Sequence, residues 1–148
     1  MDITMRRAGW RLGALVLAAA VAGLPARGLA ADICDSDSAD QATLNQCAER
    51  DRAAADRALN QVYQQVVQRL SGPDLQDRRK ALVAAQRAWV AFRDAQCRFD
   101  TVAVDGGSAS GMVSAGCLTG LTQARTARLK TYLACQEGDM SCPVPPAP

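Results

Sequence analysis

Six cysteines follow an N-terminal export signal, and the 148-residue chain contains no histidine. An exported chain meets an oxidising compartment, so six thiols read as three staples that any fold must accommodate. The missing histidine removes the commonest general acid–base group. The signal is specific. Arg6, Arg7 and Arg11 open it, Leu12 to Leu24 is an apolar run, Pro25 breaks that run, and Gly28-Leu29-Ala30 supplies small residues for cleavage after Ala30. The run is shorter than the roughly 20 apolar residues of a membrane span. Ala8-Gly9-Trp10 after Arg6-Arg7 is a poor twin-arginine signal, and Asp32-Ile33-Cys34 does not form a lipobox.

The expected organisation is a signal peptide over 1–30, one domain over 31–142 and a flexible Pro-rich tail over 143–148. The signal carries Asp2 and four of the arginines, so the mature chain has 13 basic against 14 acidic residues, a net charge of −1. No basic surface for nucleic acid or anionic membrane survives that subtraction. The mature protein is expected in the periplasm or secreted, with no membrane anchor.

Ala, Gln, Arg and Leu dominate the mature chain, and its apolar periodicity is helical. A first helix is expected from Asp40, a good N-cap, to Leu70, with Leu44, Ala55, Leu59, Val62 and Val66 on its stripe. Ser71-Gly72-Pro73-Asp74 stops it and starts the next. The second helix places Leu75, Leu82, Trp89, Gln96 and Ala85, Phe92, Phe99 at heptad spacing and fades near Val104. Trp89, Phe92 and Phe99 are read as core. Asp105-Gly106-Gly107-Ser108 is a turn, and Ser108 or Ser110 should cap a third helix ending before Gly138. The fold class is all-α: an antiparallel three-helix bundle stapled by disulfides.

Cys117 and Cys135 would lie about 27 Å apart on one helix at 1.5 Å per residue, so Cys135 pairs with the nearby Cys142. Cys34, Cys47, Cys97 and Cys117 gather at the other end, where three pairings stay open. Cys34–Cys47 and Cys97–Cys117 are favoured because each closes a local loop. Zinc-type spacing and C-x-x-C are both absent, so neither metal nor redox chemistry is expected.

Asn45-Gln46-Cys47-Ala48, then Ala55-Asp56, Leu59-Asn60 and Tyr63, resemble the first half of the LprI-type lysozyme-inhibitor domain. Ala85-Gln86-Arg87-Ala88-Trp89-Val90-Ala91-Phe92-Arg93-Asp94 with Cys97 looks like that family's signature, and Gly106-Gly107-Ser108, Cys117-Leu118 and Leu121-Thr122 with Arg125 follow in its order. The resemblance covers Cys34 to about Cys142. It implies a small, helical, exported bacterial protein, and some members are linked to inhibition of animal-type lysozymes. The name-giving member is a lipoprotein, whereas this chain lacks the lipobox.

Asp56, Trp89 and Arg125 should share one level of the bundle, with Asp56–Arg125 as the ion pair and Arg93 as the competing donor. Asn60, Gln86 and Tyr63 follow within about a turn, and Asp94 neighbours Arg93. Such a polar layer fixes helix register or offers a binding site. Asp35, Asp37 and Asp40 make an acidic stretch with Asp32, and Asp105, Gly106, Gly107 and Ser108 form the loop at the same end. A basic lysozyme would suit that end. No enzyme constellation and no cofactor site is found. The alternative is a non-enzymatic envelope scaffold with a different protein partner.

Overall fold

The computed structural model describes residues 33–34 and 36–146. The signal-peptide boundary and Asp35 lie outside these residues. Among the described residues three long helices form: α1 (Gln41–Arg69), α2 (Gln76–Asp100) and α3 (Ser110–Leu133). Asp40 caps α1, its carboxylate accepting from the Thr43 N–H at 2.8 Å. Gly72 and Pro73 lead through a single 3-10 turn, Pro73–Leu75, into α2. A second 3-10 turn, Val102–Val104, ends α2 four residues before the expected Val104.

Consecutive helices run antiparallel, so α1 and α3 are parallel. Their starts touch where Asn45 bonds Ser108 and Met112. Small residues let these two helices approach closely. A Cβ added at Gly111 would lie 3.4 Å from Asn45 Cγ, and Ala55, Ala115, Thr122 and Thr126 are buried along the same seam. Further down, Leu59, Val62, Val66, Leu70 and Leu129 form the aliphatic core. Helix α2 lies outside this pair, resting mainly on α3, and contributes only Leu82 and Cys97 to the buried set.

The two heptad stripes of α2 therefore separate. Leu82, Trp89 and Gln96 turn inward, while Phe92 and Phe99 are 53% and 74% exposed. The expectation that these phenyls are core is corrected: the close α1–α3 pair leaves α2 one inward stripe, and Leu82 and Cys97 take it.

Disulfides close Cys34–Cys47, Cys97–Cys117 and Cys135–Cys142, with Cα–Cα separations of 5.9, 5.7 and 5.8 Å. The tail also departs from expectation. After the Cys135–Cys142 loop, which turns at Gly138 (φ +85°), the chain folds back. Val144 is only 3% exposed within the core cluster, and Arg69 donates to the Pro145 carbonyl at 3.4 Å. Burial of one aliphatic side chain holds down a segment that looks free by composition.

Candidate functional site

Two regions gather the polar residues singled out above. The first is a strap that ties α2 to the α1–α3 pair. The Asp56 carboxylate accepts from Arg93 at 3.1 Å and from Arg52 at 2.8 Å. Arg52 also pairs with Glu49. Arg93 is 14% exposed and reaches Asp94 at 2.9 Å and the Thr122 hydroxyl at 3.3 Å. Its guanidinium lies 5.3 Å from the centroid of the Trp89 ring, and that of Arg125 lies 5.8 Å away. Arg125 donates to the Gln86 side-chain oxygen Oε1 at 3.0 Å. Cations over a tryptophan ring are attracted by its quadrupole, so Trp89 links two guanidiniums that would otherwise repel.

The strap corrects the expected pairing. Arg93 takes Asp56, and Arg125 takes Gln86 instead of Asp56. The cause is an offset between α1 and α3. Asn45, one turn past the N-cap Asp40, binds the Met112 N–H at the start of α3, so Thr122 lies level with Asp56 and Arg125 falls about one turn deeper. Asn60 is exposed and lies outside the strap, and Tyr63 packs beside the aliphatic core. Arg52 and Thr122 were missed. Arg52 follows from the i,i+4 spacing to Asp56; a buried threonine carries no such signal.

The second region is the cysteine-rich end. Cys34–Cys47 ties the N-terminal approach to α1, and Cys97–Cys117 ties α2 to α3. Asp37, Asp40 and Asp105 are exposed there. The Thr43 side chain and its backbone N–H hold the Asp40 carboxyl below its ordinary value. Arg52 does the same for Glu49, about two and a half turns further along α1. The turn between α2 and α3 needs Gly106, whose φ of +73° favours a residue without Cβ.

The organiser of this end is Asn45. Its amide donates to the Ser108 carbonyl at 2.9 Å, and its oxygen accepts from the Met112 N–H at 3.0 Å and from Gln41 at 3.0 Å. Helix α3 starts after Ala109 with no side-chain cap of its own, so neither Ser108 nor Ser110 caps it. One free N–H of its first turn, that of Met112, is met by a side chain from α1. The signal for this was the absence of a good N-cap directly before Ser110 together with an asparagine in the first turns of α1.

These features match a known pattern. The family model described as lysozyme inhibitor LprI matches residues 34–129. The chain belongs to the LprI lysozyme-inhibitor family. The match spans the cysteine-rich end, α2, the strap and nearly all of α3. A protein of Rhizobium meliloti (strain 1021) described as uncharacterised is 39% identical over 106 residues, covering 66% of this chain and 76% of that protein. No solved structure matches. The LprI description is of a domain that inhibits an enzyme and is not itself one, and it implies a protein partner. Among the described residues no helix is long and apolar enough to cross a membrane.

Proposed function

We propose that the mature chain is an exported inhibitor of animal-type lysozyme that docks through its cysteine-rich end. The family match over residues 34–129 carries this reading. The placement of the contact surface is supported by chemistry. Animal-type lysozymes are strongly basic, and Asp37, Asp40 and Asp105 are exposed at an end pinned by two disulfides. Asp35 joins them in sequence, and Gly106, Gly107 and Ser108 present the adjoining loop. A pre-ordered surface loses little conformational entropy on binding, and opposite charge speeds encounter. The strap of Asp56, Gln86, Arg93, Asp94 and Arg125 serves this surface by fixing helix register, while Asn45 fixes the loop.

The test is bacterial-cell lysis by an animal-type lysozyme in the presence of the purified mature protein. Inhibition should weaken when Asp35, Asp37, Asp40 and Asp105 are neutralised, and added salt should slow its onset. Full lysis at large molar excess of the parent protein overturns the function and leaves an envelope scaffold. Inhibition that survives neutralisation keeps the function and moves the site.

A further inference from the structure

Helix α2 carries an unpartnered seam on its outer face. Ala81, Ala85, Ala88, Phe92, Ala95, Phe99 and Val102 recur at alternating spacings of four and three residues, the a/d pattern of a helix that packs on another helix. All seven are exposed, and Val102, at the 3-10 turn, is 68% so. The seam is asymmetric along its length. Its second half is a ridge of Phe92, Phe99 and Val102; its first half is a trough of alanines. Beside that trough lies an apolar groove of about 280 Å³, lined by Ala81, Ala85, Leu82, Tyr132 and Val144 among others.

From this ridge and trough we propose that two copies of the chain associate through α2, antiparallel about a two-fold axis, each ridge filling the other's trough. The register follows from size. When Phe92 of one copy meets Ala95 of the other, Phe99 meets Ala88 and Val102 meets Ala85 at the edge of the groove. Every large residue then faces an alanine, and two-fold symmetry makes both halves alike. No parallel in-register pairing does this, because it sets Phe92 against Phe92 and Phe99 against Phe99.

The area is sufficient for a reversible dimer. At about 200 Å² per aromatic side chain, the two phenyls leave about 250 Å² open on each copy. With Val102, the alanines and the second copy, the total is on the order of 1,000 Å², the lower bound of specific interfaces. The mature charge of −1 adds almost no mutual repulsion.

Sedimentation of the mature protein across micromolar concentrations should show a monomer–dimer equilibrium. Phe92→Glu with Phe99→Glu should raise the dimer dissociation constant by about tenfold or more without lowering the melting temperature, since both rings are outside the core. Ala88→Leu separates a registered seam from general stickiness. It adds apolar area but fills the hole that receives Phe99, so the dimer should weaken. A monomer at every concentration overturns the proposal, as does a dimer indifferent to the double glutamate variant. A dimer unchanged or tightened by Ala88→Leu overturns the register.

Discussion

Replacing Asn45 by alanine removes two hydrogen bonds that join α1 to the Gly106-Gly107-Ser108 loop and the start of α3, and a third within α1. The bond to the Met112 N–H is an N-cap supplied from another helix, and losing an N-cap side chain costs about 1 kcal/mol. The Ser108 carbonyl loses its Asn45 partner, adding about 1 kcal/mol at the usual net value of a hydrogen bond. About 2 kcal/mol in a domain of this size lowers the melting temperature by about 8 °C. Circular dichroism melts under non-reducing conditions measure it with the disulfides intact. Asn45→Asp sharpens the test. It keeps the acceptor for Met112, places a negative charge at the start of α3, where the helix dipole favours it, and loses only the donor to Ser108. Its loss should be about half that of the alanine variant. An alanine variant melting within about a degree of the parent, or an aspartate variant equally destabilised, refutes the trans-cap.

Arg93→Ala should cost about 2 kcal/mol, between the values for exposed and fully buried pairs, and Arg93→Lys should fail to restore stability because the guanidinium serves Asp56, Asp94 and Trp89 together. Asp56→Ala should cost less, since Asp94 still partners Arg93; chemical denaturation compares the three. Val144→Ala removes two buried carbons and should cost about 1–2 kcal/mol at about 0.8 per carbon, whereas a free tail would show no change in the melt. Asp40, Glu49 and Asp139 are each held below their ordinary values, by Thr43, Arg52 and Ser141. Their stabilisation is complete above the ordinary values of 3.8 for aspartate and 4.5 for glutamate and is lost as pH falls through the lower folded-state values. Melts should therefore steepen downward below about pH 4, and Asp40→Asn, which retains a capping oxygen, should flatten that limb without loss at neutral pH.

The helix count, turns and the Cys135–Cys142 bridge were legible because they depend on local chemistry: apolar periodicity, Gly72-Pro73, and cysteines too far apart on one helix to pair. Cys34–Cys47 and Cys97–Cys117 were favoured among three open pairings, and the structure selects them. What was not legible depends on how helices share a centre. Leu82-Trp89 and Ala85-Phe92-Phe99 are both apolar heptad series, and composition favours the phenyls as core. The close α1–α3 seam decides otherwise, and it is built from Gly111, Ala115, Thr122 and Thr126, residues that carry little hydrophobic signal. The same seam sets the offset that gives Asp56 to Arg93. At the candidate site, Asp40 and the Gly106 turn were legible from capping and turn preferences, whereas the role of Asn45 left only the missing N-cap before Ser110 as a signal, because its loop and α3 partners, Ser108 and Met112, are more than 60 residues away in sequence.

The lysozyme account stands or falls on hydrolysis of a soluble chitooligosaccharide by an animal-type lysozyme, titrated with the purified, disulfide-intact mature protein. A soluble substrate separates inhibition of the enzyme from shielding of the cell wall. The account predicts a fall in rate that saturates near one inhibitor per enzyme and is lost when the three disulfides are reduced. An unchanged hydrolysis rate at large molar excess would contradict it.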